Sequence, residues 1–426
     1  MWTVVFEEKV RAVSEGLATT FRVLTETPNK AAVRALVAAL DSPFVAVRRR
    51  AIESLITRQT PGGKREVLAR IDQLDGEGLE FFRRNASRMM PTLRSAVLDA
   101  GDSLRSNACR AALLLGEVDL IPSLASALEC SSGTAAAELG QTLLGLAERL
   151  AEQLSQSKAE PGRRDPRTVR DSVLGPIERA IADYGKHGRD ELLEAFAMLV
   201  PAANPTLRNL LSSARNPAAS ALHDCLSHSA RPAIMQLVLD LLDDAKAPLA
   251  AITATARRAD AAFVRRLLRR VADCPSPGLR RNLRRIHSFA WLQDECPLVD
   301  DLDGREQEAA LALSLMTATP RGQTFRLIRR LVRGGKPDGR RAAARMLEEF
   351  AGAEANDLAL LALDDPDPVI QASALGQLRR RSIPGALPRL LQMAESPYPE
   401  VRRTAQEGLA EFRLQQIAAR PPDAGD

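Results

Sequence analysis

A chain of 426 residues with 45% hydrophobic but only 4% aromatic side chains has ample core material, of a kind that suits close-packed helices better than sheets. Its formal charge of +5 hides a local concentration: residues 257–285 alone carry +8, so the rest sums to −3 and a uniformly basic nucleic-acid coat is excluded. No apolar run approaches the ~18 residues that a membrane-spanning helix needs.

The opening stretch "MWTVVFEEKVRAVSEG" breaks its apolar run at Glu7 and Glu8, so no secretory signal is expected. Five widely spaced cysteines (Cys109, Cys130, Cys225, Cys274, Cys296) form no C-x-x-C pair and read as reduced thiols in a cytoplasmic protein. From residue 30 onward the pattern is a repeat. "VRRRAIESL" places Val47, Ala51 and Leu55 on one helical face, and "LRSNACRAAL" does the same with Leu104 and Ala108. Further on, "EAALALSLM", "GRRAAARML", "IQASALGQL" and "VRRTAQEGL" begin at Glu308, Gly339, Ile370 and Val401, spaced by 31 residues. Their fifth residues are Ala312, Ala343, Ala374 and Ala405, small enough for a second helix to approach closely. Asp, Ser and Pro turns such as "DSPF", "DPDP" and "SPYP" precede these helices and carry helix-starting chemistry.

Projected along the chain, the period places first helices near 44, 79, 102, 134, 189, 217, 247, 278, 305, 338, 369 and 400, about twelve pairs in all. The expectation is a single all-α superhelical array over 1–414, with an N-terminal portion spanning 1–154 and a C-terminal portion spanning 167–414. Between those portions the polar stretch "SQSKAEPGRRDP" at 155–166 reads as a loop, and the tail 415–426 as disordered. "DECPLVDDLDGRE" at 294–306 leaves little room for a full second helix.

The stretch "LDDPDPVIQASALGQLRRRSIPGALPRLLQMAESPYPEVRRTAQEGL", with its Asp-Pro turn, small-residue helix and Pro-opened second helix, resembles the HEAT repeat, including the form found in phycobilin lyases. The resemblance covers roughly 300–414 well, is recognisable at 30–130 and degenerates between 134 and 260. It implies an armadillo-type helical solenoid, Asp–Arg pairing between layers and a second helix lining the inner side. On function it is nearly silent, because this repeat serves many tasks.

Signs of catalysis are absent from the residue pattern. The four histidines (His187, His223, His228, His287) cluster only in "HDCLSH", short of the three or four convergent ligands of a metal site, and no His precedes a Glu as in di-iron HEAT proteins. No residue set suits a tetrapyrrole, no Gly-rich phosphate loop or nucleophile elbow occurs, and aromatics to cradle a flipped nucleotide are sparse. Neither a cofactor nor a metal is expected.

The arginines are the feature to explain. "RRADAAFVRRLLRRVADCPSPGLRRNLRR" (257–285) holds ten arginines against Asp260 and Asp273. Phe263, Val264, Leu267, Leu268 and Val271 share one helical face; Arg265, Arg266, Arg269 and Arg270 share the other, and Arg280, Arg281, Arg284 and Arg285 follow on the next helix. Like charges four apart cost about 0.2–0.5 kcal/mol per pair, so something should offset them. Three readings stand. The arginines pair internally, for which the acidic run 294–308 (net −6) is at hand; or they dock an acidic protein; or they bind phosphates. Trp291 could stack on a guanidinium or a base, and is otherwise core. Arg326, Arg329, Arg330 and Arg333 occupy the same place in their own repeat as Arg265–Arg270, so a broken basic strip along one layer is expected.

The resulting reading is a non-catalytic scaffold binding an acidic protein partner through a curved helical-repeat surface. Nucleic-acid binding through phosphates is the first rival. A lyase or glycosylase, using a pocket around Trp291 or Phe289, is the second. Oligomeric state is left open.

Overall fold

Helix starts along this chain are set by a small vocabulary of local chemistry. The side chains of Asp75, Asp165, Asn204, Asp260, Ser276 and Asp303 each accept a hydrogen bond from a backbone N–H of the first turn. Proline opens the helices at Pro61, Pro166, Pro205, Pro232, Pro277 and Pro337, where no N–H is needed. The computed structural model describes residues 15–58, 60–99, 101–156, 164–213, 215–293, 297–381, 383 and 385–418, and among them there is no strand. Residues 157–163 of the polar insertion, Asp294, Glu295 and Cys296, and the last residues of the tail lie outside the described set.

The fold is all-α. First helices begin at Val45, Gly76, Asp102, Gly133, Asp190, Pro217, Leu249, Pro277, Gly304, Pro337, Pro368 and Pro399, each within three residues of the projected start. The chain divides into two compact units, Met1–Cys225 and Leu226–Asp426, the division falling inside the helix Pro217–His228.

The N-terminal unit is a two-row stack. Val45–Thr57 packs on Gly76–Arg84, and Asp102–Leu115 packs on Gly133–Ser155, which packs on Asp190–Leu199. In the other row Pro61–Ala69, Ala86–Asp99, Ile121–Cys130 and Pro166–Ala182 follow one another. Ala51, Leu55 and Ala108 are fully buried, as the repeat pattern requires.

In the C-terminal unit one row runs Ala261–Ala272, Gly304–Met316, Pro337–Met346, Pro368–Arg381 and Pro399–Ala418, each packed on the next. Arg321–Gly334 lies across from this row, beside Ala353–Ala362. Between Pro277–Leu283 and Gly304 the described residues form no second α-helix. Two 3₁₀ turns, Ala290–Leu292 and Pro297–Asp301, take its place, in keeping with the short segment. Consequently Ala261–Ala272, the second helix of its pair, packs against the first helix of a later one. The rows exchange roles at this point.

One register reading needs correction. Ala343, Ala374 and Ala405 are buried, but Glu308 and Ala312 are exposed, and the buried residues at the first, fifth and ninth spacing of that helix are Glu306, Ala310 and Ser314. The start is set by Asp303, whose side chain accepts from Glu306 N while Glu306 reaches back to Asp303 N in a capping box. Counting from the cap places Glu306 level with Gly339, so the spacing there is 33 residues rather than 31. The alanine-rich "AALAL" fits either register, which is why composition misleads.

Neighbouring repeats are tied by buried side-chain amides. Gln307, 1% exposed, donates to Val299 O at 2.9 Å and accepts from Lys336 N at 2.7 Å. Gln377 donates to Ala344 O at 2.6 Å and Asn282 to Leu242 O at 2.8 Å. Gln307→Leu keeps the volume but orphans the buried Val299 carbonyl and the part-buried Lys336 N–H. It is expected to lower stability by about 1–3 kcal/mol in urea unfolding, with helicity at zero urea unchanged.

Candidate interaction surface

The helix Ala261–Ala272 buries Phe263, Val264, Leu267, Leu268 and Val271 and turns its arginines outward, the amphipathic split expected of it. Those arginines are not equivalent. Arg269 Nε lies 3.0 Å from Glu306 Oε1, and Arg265 donates to Asp301 O at 2.7 Å. Arg270 bridges Asp240 at 3.2 Å and Asp243 more closely still. Arg266 is exposed and forms no hydrogen bond or ion pair with another described residue.

The next helix, Pro277–Leu283, is anchored on the end of Pro232–Asp243. Ser276 caps it through Leu279 N and donates to Asp243 Oδ1 at 2.8 Å, while Leu279, Asn282 and Leu283 are buried. The anchor turns Arg280, Arg281 and Arg284 to solvent, and their side chains form no hydrogen bond or ion pair with any described residue. Arg285, also exposed, reaches Ala247 O at 3.4 Å.

The described residues of the acidic run face both ways. Asp300 receives Arg330 Nε at 2.8 Å, a bond that holds its carboxyl below the usual aspartate value. Glu306 meets Arg265 and Arg269, and Glu308 meets Arg345 at 3.0 Å. Further along, Arg340–Asp365 (2.7 Å), Arg341–Asp367 (2.6 Å) and Arg389–Asp364 (2.8 Å) are cross-repeat Asp–Arg pairs of the kind the repeat resemblance implies.

Two expectations about the surface change. The two basic groups do not lie on one layer: Arg265–Arg270 project from the row containing Gly304–Met316, whereas Arg326, Arg329, Arg330 and Arg333 project from a helix outside that row. The row exchange at 284–303 separates them. Trp291 is 5% exposed and Phe289 fully buried, their rings 6.0 Å apart beside Leu249–Arg257, so neither is available to stack on a ligand. The pocket that a glycosylase-like reading needs from these two rings is therefore filled by the rings themselves.

Arg258, half of the first doublet, belongs to the core rather than to the basic surface. Its guanidinium is completely buried, donating to Leu226 O at 2.7 Å, Ser229 O at 2.5 Å and Asp260 Oδ2 at 3.0 Å, and lying 4.7 Å over the Phe263 ring. The sequence carries a signal for this. Arg58 stands at the same place, one residue past a first helix, and donates to Leu24 O, Thr25 O and Thr27 O of the preceding repeat. Arg381, closing the helix Pro368–Arg381, does likewise with Leu347 O.

The turns repeat as closely. Arg48 donates to Ser42 O (2.8 Å) and Pro43 O (3.1 Å); Arg402 donates to Ser396 O (2.7 Å) and Pro397 O (2.9 Å). Gln371 takes the same position against Asp365 O at 2.8 Å. Consistent with this, residues 326–410 match the family model for HEAT repeats. That stretch is a run of HEAT repeats. No curated protein matches the chain significantly. Among solved structures the chain is similar to one from a study of a phosphorylation switch controlling the interaction between cadherin and beta-catenin (15% identity, 94% of this chain and 96% of that one, TM-score 0.28). It is also similar to an engineered protein (16% identity, 89% and 98%, TM-score 0.25) and to Kap121p (14% identity, 94% and 45%, TM-score 0.23). All three are too distant to bear on the partner or task of the HEAT repeats described here.

Among the described residues no group of three or more His, Cys, Asp or Glu is placed to hold a metal ion, and no helix is long and apolar enough to cross a membrane. His187 is held in its turn, with Nε2 3.0 Å from Ala180 O and Nδ1 accepting from Arg189 N at 3.0 Å.

Proposed function

We propose that the chain is a non-catalytic, cytoplasmic scaffold that binds an acidic protein through Arg266, Arg280, Arg281 and Arg284, with Arg285 alongside. The observation that carries this reading is the contrast within one short segment. Arg258, Arg265, Arg269 and Arg270 are held by carbonyls and carboxylates of the fold, while the side chains of Arg266, Arg280, Arg281 and Arg284 are exposed with no bond to a described residue. Arginine's planar fork suits paired carboxylates, and a helical-repeat array offers an extended surface on which several weak contacts add.

Phosphate binding by the same residues is the second reading, since a guanidinium accepts either anion. Anisotropy of a fluorescein-labelled polyglutamate peptide and of a labelled DNA duplex separates the two. Wild type is expected to bind polyglutamate, and Arg266, Arg280, Arg281 and Arg284 changed together to Glu should lose at least about 10-fold in affinity, close opposite-charge pairs being worth ~1.5 kcal/mol or more. Duplex binding that persists near physiological salt, alongside no polyglutamate binding, would move the assignment to nucleic acid, with log K falling by about 0.9 per neutralised phosphate per decade of salt.

A further inference from the structure

A second charged surface lies in the C-terminal unit, outside the row of Ala261–Ala272, and its signs are paired rather than uniform. Helices Arg321–Gly334 and Ala353–Ala362 lie side by side, bridged by Arg329 Nη1 and Glu354 Oε1 at 2.5 Å. That bridge fixes which faces point outward together. Arg326 and Arg333 stand one helical turn before and after Arg329; Asp357 stands one turn after Glu354, and Leu361 one turn further. All four are exposed, Leu361 at 43%, and neither Arg326, Arg333 nor Asp357 bonds to another described residue. A basic stripe therefore runs beside an acidic stripe that carries an exposed leucine.

We infer that this pair of stripes is a self-association surface whose occupant is a second copy of this chain. A two-fold axis running between the stripes and parallel to them lays the basic stripe of each copy on the acidic stripe of the other. The surface is thus complementary to itself, which is what an isologous contact demands. In that arrangement Arg326 and Arg333 meet the partner copy's acidic stripe, and Leu361 is covered by the aliphatic stems of the partner copy's arginines. A purely acidic protein would satisfy the arginines but would stack its carboxylates on Asp357 and Glu354, which is why a second copy fits better.

Analytical ultracentrifugation of the full chain across a concentration series tests this. Wild type is expected to dimerise in the micromolar range, as a modest interface would (K about 1 μM corresponds to roughly −8 kcal/mol). The Arg326→Glu/Arg333→Glu variant and the Asp357→Arg variant should each dimerise at least about 10-fold more weakly, like charges then being opposed across the axis. An equimolar mixture of the two variants should form a heterodimer, because each supplies the stripe the other has lost. Recovery in the mixture also shows that both variants fold. If either variant lost helical circular dichroism, Arg326→Gln/Arg333→Gln would replace the charge reversal and should weaken the dimer. A wild type that stays monomeric to about 100 μM, or variants that dimerise as wild type does, would overturn the inference. So would polyglutamate binding to a monomer that is abolished by Arg326→Glu/Arg333→Glu, which would give these arginines to the acidic protein instead.

Discussion

Arg258→Ala is expected to lower the stability of the C-terminal unit by about 2–6 kcal/mol, roughly 1–3 kcal/mol for each of the two carbonyls left without a donor, whereas Arg257→Ala, next to it and exposed, should change little. The replaced side chain satisfies Leu226 O and Ser229 O, holds Asp260 while that carboxylate caps the next helix, and covers Phe263. Alanine leaves two carbonyls without their donors and a cavity above the ring. Arg258→Lys should recover little of this, because one ammonium cannot span two carbonyls and a carboxylate from one planar group. Arg258→Met separates volume from hydrogen bonding: if it proves as stable as wild type, the carbonyl contacts contribute nothing net. Thermal and urea unfolding followed by far-ultraviolet circular dichroism read all four variants.

Gly278→Ala is the second large effect. A methyl group at this position would fall inside the van der Waals radius of Asp243 O, a backbone atom that no rotamer change can move. The helix Pro277–Leu283 would have to lift off the end of Pro232–Asp243, loosening Ser276–Asp243 and the two bonds from Asn282 to Leu242 O and Asp244 O. Overpacking of this kind costs about 1–3 kcal/mol, and more where the obstacle is backbone. Because the same helix displays Arg280, Arg281 and Arg284, the variant should also weaken polyglutamate binding while removing no charge. Gly376→Ala, with open space around its Cβ position, is the matched control expected to leave both stability and binding intact. Equal behaviour of the two variants would show that the close approach at Gly278 is dispensable.

The helical architecture is readable from the sequence because its signals are local. Caps, N-terminal prolines and the small residue at mid-helix act within one or two turns, so the projected starts fall within three residues of those found. What cannot be read depends on contacts between repeats. The register at Gly304–Met316 is decided by which capping residue wins, and the alanines of "AALAL" do not vote. The separation of the two arginine groups follows from the short connection at 284–303, whose described residues form only 3₁₀ turns, and its effect on packing emerges only once both neighbours are placed.

For the arginines, amphipathic spacing identifies which side chains leave the core of Ala261–Ala272, and the acidic run does supply a partner for some of them. Spacing says nothing about an arginine just past a helix end. At that location a guanidinium can turn inward to the open carbonyls of the previous repeat, as Arg258 and Arg58 do. Trp291 illustrates the converse, a residue capable of recognition that packing claims first.

The exchange of rows in the C-terminal unit amounts to a change of parity. Ala261–Ala272, which ends its pair, stands in line with Gly304–Met316, Pro337–Met346 and Pro368–Arg381, each of which begins its own. A binding partner following one side of this unit therefore reads the closing helix of one repeat and then the opening helices of those after it. Two repeats with matching sequences on opposite sides of that point present opposite faces to the same neighbour. Inserting or deleting one helix there would restore a uniform reading frame, and would put the arginine stripes of 261–272 and 321–334 on the same side.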